Sequence, residues 1–138
     1  MYLEHVNLVV SDIEEQLKFY QAVFPHWKVR SEGTGDWHGK PRRWLHFGDD
    51  YHYIAFSDNG EGENRDLIGH QVGLAHFAYV TDNLDALIAR LENAGFQVHK
   101  AGAENDFRKN IYFLDPAGFE IEFVQYLSDI PEERNNDD

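Results

Sequence analysis

The sequence predicts an α+β fold made of two tandem βαβββ modules, and three observations carry that prediction. The 138-residue chain repeats itself: residues 3–29 lie against 74–98, with His5 matching His76 at an offset of 71 residues. In each half a strand pattern runs into a helix pattern and three further strand patterns follow, so the apolar period changes from two residues to about 3.6 and back. With 42% hydrophobic and 14% aromatic residues, the chain can bury about two-thirds of its unfolded surface as a single compact domain.

The first strand of each module is led by a histidine, in Leu3-Glu4-His5-Val6-Asn7-Leu8-Val9-Val10 and Leu74-Ala75-His76-Phe77-Ala78-Tyr79-Val80-Thr81. A capped helix comes next. Ser11 with Glu14 forms a candidate capping box, and Asp82 or Asn83 caps the second helix. Ile13, Leu17, Tyr20 and Phe24 recur at helical spacing, as do Leu84, Leu87, Ile88 and Leu91, with Gly95 as the stop. A short strand is expected around Trp27 to Val29 and around Phe96 to Val98, each followed by a polar loop containing glycine. Then Arg42 to Phe47 parallels Arg108 to Phe113, and Ile54 to Phe56 parallels Ile121 to Phe123. Module one therefore spans about 1–57 and module two about 73–127. Residues 58–72, glycine-rich and charged, read as a linker or flap, and the acidic tail 128–138, without apolar periodicity, is expected to be mobile.

Because alternate strand residues share a face, the apolar positions sort the polar ones. Val6, Leu8 and Val10 must pack on a helix, which leaves His5, Asn7 and Val9 opposite. Phe77 and Tyr79 likewise send His76, Ala78 and Val80 to the other side, and Ile121 and Phe123 send Glu120 and Glu122 there. Leu45, Phe47, Ile111 and Phe113 leave Trp44, His46, Asn110 and Tyr112 on that same side. A concave face that collects imidazoles, carboxylates, amides and aromatics is costly to bury unless something occupies it.

Composition narrows the possible occupants. The chain has no cysteine, which excludes disulfides and thiolate-ligated metals and leaves His/carboxylate sites open. A formal charge of −13 repels phosphate backbones and anionic membranes, so neither nucleic acid nor membrane is an expected partner. No run reaches the about 18 apolar residues of a membrane span. Residues 1–5 lack a basic region leading into an apolar stretch, and a cytoplasmic location is expected.

The His-led strands, together with Tyr112-Phe113-Leu114-Asp115-Pro116-Ala117-Gly118-Phe119-Glu120-Ile121-Glu122, resemble the vicinal oxygen chelate superfamily of glyoxalases, bleomycin-resistance proteins and extradiol dioxygenases. The resemblance covers nearly the whole chain. It implies an open eight-stranded half-barrel with helices outside, a homodimer, and one divalent metal ion, whether Fe, Mn, Ni or Zn, held by His5, His76 and Glu122. The fourth ligand position of glyoxalase I falls on Ala55, the repeat mate of Glu122, and alanine binds no metal. Two histidines and one carboxylate remain, a set shared with Fe(II) oxygenases. The implied activity is a metal-dependent enzyme acting on a small oxygen-bearing molecule, with glyoxalase-like lyase or isomerase chemistry first. Extradiol ring cleavage is the alternative: Tyr112 fits its signature, but Ala103-Glu104-Asn105 supplies no upstream histidine. A metal-free module that sequesters a cationic drug is the non-enzyme alternative.

Within that frame Glu122, His46 and Tyr112 are the candidate catalytic residues. His46 faces inward with an ordinary pKa near neutrality, and reads as an acid/base group or as a hydrogen-bonded lining residue. Arg42, Arg43, Arg108 and Lys109 offer an anion clamp or a solvated strand end. Trp44 and Tyr53 suit a flat or apolar substrate portion or serve as filling. Glu120 reads as a solvated or mouth carboxylate, and His26, His38, His52, His70 and His99 receive no role.

Overall fold

A computed structural model describes residues 1–137, and its contacts divide the chain into two compact units, Met1–Glu63 and the residues from Asn64 onward. The first contains strand β1 (His5–Val9), helix α1 (Ile13–Val23) and strands β2 (Lys28–Trp37), β3 (Lys40–Gly48) and β4 (Tyr53–Ser57). The second contains β5 (Phe77–Val80), α2 (Leu84–Asn93), β6 (Lys100–Ala101), β7 (Arg108–Leu114), β8 (Glu120–Tyr126) and a short α3 (Pro131–Arg134).

Each unit builds one open four-stranded mixed sheet, ordered β1-β4-β3-β2 and β5-β8-β7-β6. The repeat written in the sequence is thus a repeat of topology. In both sheets the first strand runs parallel to the fourth, with Asn7 opposite Ala55 and Ala78 opposite Glu122. The fourth strand is antiparallel to the third, so His46 lies opposite Ala55 and Tyr112 opposite Glu122. The architecture is the α+β arrangement expected, with four strands in each of two sheets among the described residues.

The helices bury the faces their spacing marks. Ile13, Leu17, Phe19, Tyr20 and Val23 are buried on α1, and the Tyr20 ring lies 5.4 Å from that of Phe56 on β4. Leu84, Leu87 and Leu91 are buried on α2, which is pinned at its start where Leu84 N–H donates to Gln125 Oε1 of β8 at 2.9 Å. Asn83 caps α2 by accepting from Ala86 N–H at 3.0 Å. Gly95, at φ +94°, follows its C-cap in the left-handed region that glycine enters without penalty.

Four local expectations are corrected. The α1 cap is Asp12, accepting from Glu15 N–H at 3.1 Å, and no Ser11–Glu14 box forms because the Glu14 carboxylate is bonded to Arg43 Nη1 at 2.6 Å. The short strand expected at 27–29 is instead the ten-residue β2, because His38 and Gly39 both take positive φ, 49° and 84°, in a two-residue turn that pairs Trp37 with Lys40. In module two the expected strand at 96–98 is absent, and pairing is confined to Lys100 and Ala101. The tail, aperiodic in sequence, makes the α3 turn and docks: Arg134 stacks on the Tyr126 ring at 3.9 Å, and Asn105 Nδ2 donates to the Asn136 carbonyl at 2.9 Å.

The repeat mates Phe47 and Phe113, 1% and 0% exposed, each anchor one sheet on its helix side. Phe47→Ala and Phe113→Ala are each expected to lose about 3–5 kcal/mol, read as a lower midpoint in urea unfolding.

Candidate functional site

The alternation inferred from sequence is the one observed. On β1 and at Val10 just after it, Leu8 and Val10 are buried and Val6 half-buried, while His5, Asn7 and Val9 are exposed. On β8, Ile121 and Phe123 are fully buried toward the helix, and Glu120 and Glu122 project from the other face.

In the second unit that face assembles a carboxylate and imidazole cluster. His76 stands immediately before β5, and its Nε2 lies 3.1 Å from Glu122 Oε2. The second Glu122 oxygen, Oε1, accepts from Asn110 Nδ2 at 3.0 Å, which fixes the orientation of a carboxylate only 15% exposed. Tyr112 packs edge-on against the His76 ring at 5.4 Å. Burial, reinforced by the charge of Glu122, holds its phenol above the ordinary tyrosine range and therefore protonated.

Of the two expectations for Glu120, a solvated or a mouth carboxylate, the structure excludes the solvated one. The residue is 6% exposed and faces three cationic or potentially cationic groups: His76 Nδ1 at 3.8 Å, His99 Nε2 at 3.7 Å and Lys100 Nζ at 3.4 Å. Lys100 also lies 4.5 Å over the Tyr112 ring. His99 and Lys100 escaped the sequence reading because only the β6–β7 register, Lys100 opposite Tyr112, brings them here. Glu120 was legible, since it shares the phase of Glu122.

In the first unit the same face carries a stack of rings. Tyr53, the repeat mate of Glu120, lies between His5 at 4.4 Å and His46 at 4.5 Å, with the Arg30 guanidinium 4.5 Å above its centroid. His5 is exposed, and its Nδ1 is 2.9 Å from Glu4 Oε1. His46 contacts Ser31 Oγ through Nδ1 at 3.3 Å and lies 4.9 Å from the Trp44 ring. Trp44 in turn lies so close over Gly33 that a Cβ there would come within 2.8 Å of the indole. Beside this stack a recess of about 200 Å³ is lined by Asn7, Arg42, Trp44, His46, Ala55 and Ser57 among others. Ala55, 4% exposed, puts a methyl where module two puts the Glu122 carboxylate.

The donors fit a divalent ion in kind: imidazole nitrogen and carboxylate oxygen converge at His76 and Glu122, and Asn110 supplies the outer hydrogen bond that orients a ligating carboxylate. Among the described residues, neither unit by itself gathers three His, Cys, Asp or Glu side chains in a metal-holding arrangement. His5 belongs to the first unit, and His76 and Glu122 to the second.

Burial, followed by the charges of His5, Arg30 and Arg42, pushes the His46 pKa below its ordinary value of 6.5. The folded protein therefore refuses a proton that the unfolded chain accepts below about pH 6.5. Stability contributed by neutral His46 is present above that pH and is lost as pH falls toward the folded midpoint. Imidazole NMR is expected to show His46 titrating below 6.5, and His46→Gln is expected to flatten that part of the stability profile.

The profile of the Glyoxalase/Bleomycin resistance protein/Dioxygenase superfamily matches residues 2–123. A search of curated proteins yields no sequence match. Among solved structures, a glyoxylase/bleomycin resistance protein/dioxygenase domain from Frankia sp. EAN1pec is 22% identical at a TM-score of 0.75, over 99% of this chain and 98% of that one. A fosfomycin resistance protein, FosX, from Listeria monocytogenes, complexed with Mn(II) and sulfate, is 21% identical at a TM-score of 0.64, over 98% of each chain. A lactoylglutathione lyase from Agrobacterium tumefaciens is 18% identical at a TM-score of 0.60, over 90% of this chain and 92% of that one. At these identities the likeness to solved structures concerns the fold, while the profile covers most of the sequence: the chain belongs to the Glyoxalase/Bleomycin resistance protein/Dioxygenase superfamily.

Proposed function

We propose that this protein is a divalent-metal-dependent enzyme acting on a small oxygen-bearing molecule, by lyase or isomerase chemistry of the glyoxalase kind. The observation that carries the reading is the His76–Glu122 pair at 3.1 Å, oriented by Asn110 and lined by Tyr112. His5, the repeat mate of His76, completes the proposed ligand set of His5, His76 and Glu122. A bound divalent ion supplies Lewis-acid polarisation of a substrate carbonyl and offsets the negative charge that develops on its oxygen. The metal reading is favoured further by FosX, a structural neighbour that holds Mn(II).

The residues of the chain supply the rest. His46, kept neutral at pH 7 by its surroundings, is available to accept a proton from substrate carbon and return it. Glu122 is the other candidate carrier. Tyr112, protonated at neutral pH, donates a hydrogen bond to a substrate oxygen. The stacked Tyr53 and His46 rings, with Trp44 tilted against His46, offer flat surface to the remainder of the substrate. The protein is proposed to act as a homodimer in the cytoplasm.

Three assays separate the reactions: hemithioacetal turnover with Ni(II) or Zn(II), oxygen uptake with Fe(II) and a catechol, and Mn(II)-dependent modification of an epoxide antibiotic. Turnover only in the first supports the lyase or isomerase reading, and turnover only in either of the others replaces it. Protein purified without chelator or affinity tag is expected to carry one divalent ion per chain, and Glu122→Ala to lose it through an affinity drop of about tenfold or more. Full metal content in Glu122→Ala would refute the ligand set. Light scattering is expected to give twice the chain mass of 16.1 kDa, and a mass near the single value would refute the dimer.

A further inference from the structure

Four basic side chains at the starts of β3 and β7 were candidates for holding an anion, and the structure separates them. Arg43 and Lys109 share the helix face. Arg43 is bonded to Glu14 at 2.6 Å and Glu32 at 3.2 Å, and Lys109 lies 3.7 Å from Asp85 on α2. Arg108, on the opposite face, is taken by the tail: Nη2 is 3.2 Å from Asp137 Oδ1, and Nη1 lies 3.3 Å and 3.4 Å from the Asn136 and Arg134 carbonyls. Arg42 is the exception. Its Nη1 donates at 2.6 Å to the neutral Ser57 Oγ, which donates on to Asn7 Oδ1 at 3.3 Å, and its guanidinium lies 3.7 Å from the Trp37 ring centroid. Among the described residues no carboxylate pairs with Arg42, although the chain holds 25 acidic residues against 12 Lys and Arg.

That lone cation borders the recess of about 200 Å³, whose lining contains no Asp or Glu. At Ala55, where the repeat would put the counterpart of Glu122, there is only a methyl group. A half-buried guanidinium without a counter-charge is costly, and its remaining N–H donors form the planar fork that matches an oxyanion. Module two shows the arrangement completed: Arg108 is the repeat mate of Arg42, 66 residues on, and there the chain itself supplies a carboxylate through Asp137.

We infer that the recess of the first unit is a subsite for an oxyanion group, carboxylate in size, on the small-molecule substrate, with Arg42 as the residue that holds it and Asn7 and Ser57 as its polar walls. The inference deepens the enzyme reading and rests on it for the word substrate, but the subsite itself requires no metal. It selects anionic members of the class of small oxygen-bearing molecules over neutral ones.

The test is an NMR titration of the metal-free full chain with sodium acetate, and separately with sodium sulfate, against sodium chloride at matched ionic strength. The signals followed are the Trp44 indole N–H, the Asn7 side-chain amide and the Arg42 guanidinium. Saturable shifts with acetate beyond the chloride control are expected, with affinity weakened about tenfold or more in Arg42→Gln and unchanged in Arg43→Gln, whose cation is already paired. Saturation by sulfate as well supports a site for any small oxyanion, and saturation by acetate alone supports one shaped for carboxylates. Should Arg42→Gln fail to fold, Arg42→Lys, which keeps the charge and loses the fork, is expected to show weakened acetate binding. Shifts no greater than with chloride, or an affinity indifferent to Arg42, would overturn the inference. Because the titration omits metal, a chain that binds acetate here and carries no ion on metal analysis sinks the metal reading alone.

Discussion

The parallel pairing of the first strand of each module with its fourth is the constraint on which the rest of the structure depends. A parallel neighbour three strands on in sequence cannot be reached by a hairpin, and each helix carries the chain from the first strand to the second at the far edge while covering one sheet face with its apolar stripe. Once that face is spent on Leu8, Phe56, Phe113 or Phe123, the two-residue period leaves the opposite face to whatever else the strands carry. Here that means His5, His46, Tyr53, His76, Tyr112, Glu120 and Glu122. Within each unit, their gathering on one sheet face is a by-product of burying the other.

The two modules spend the same topology differently. In module two the polar face is ionic: Glu120 and Glu122 lie among His76, His99 and Lys100, with Tyr112 against His76. In module one the equivalent positions, Tyr53 and Ala55, carry no charge, and burial, followed by the charges of His5, Arg30 and Arg42, depresses the His46 pKa. On the fourth strands the polar-face carboxylates, Glu120 and Glu122, belong to module two, while the third strand of module one carries Arg42 without a carboxylate partner among the described residues. The proposed metal site rests on the first arrangement, and the proposed oxyanion subsite on the second.

Legibility followed the range of the interactions. The helix faces, the Gly95 stop, the Asn83 alternative and the alternation that puts His46, Tyr112 and Glu122 away from the helices were all readable, because each depends on residues within a turn or two. The α1 cap was misread by one residue since Glu14 is drawn to Arg43, 29 positions away. The burial of Glu120 was missed for a similar reason: its partners His99 and Lys100 reach it through a two-residue strand, too short to leave a periodic signature. The tail looked structureless because Arg134 and Asn136 are held by Tyr126, Asn105 and Arg108, and not by their own neighbours.

By itself the sequence determined the repeat, the succession of its main strands and helices and the face each side chain takes, all consequences of local period and covalent order, while the reading of Ala55 as a vacated ligand position rests on the family resemblance. Only the tertiary structure decided which charges are neutralised. Arg42, Arg43, Arg108 and Lys109 are equivalent as letters, yet three meet carboxylates and one meets a serine. Pairing of charges depends on distances of 3 or 4 Å between residues far apart in the chain, and no pattern within a strand or helix encodes them.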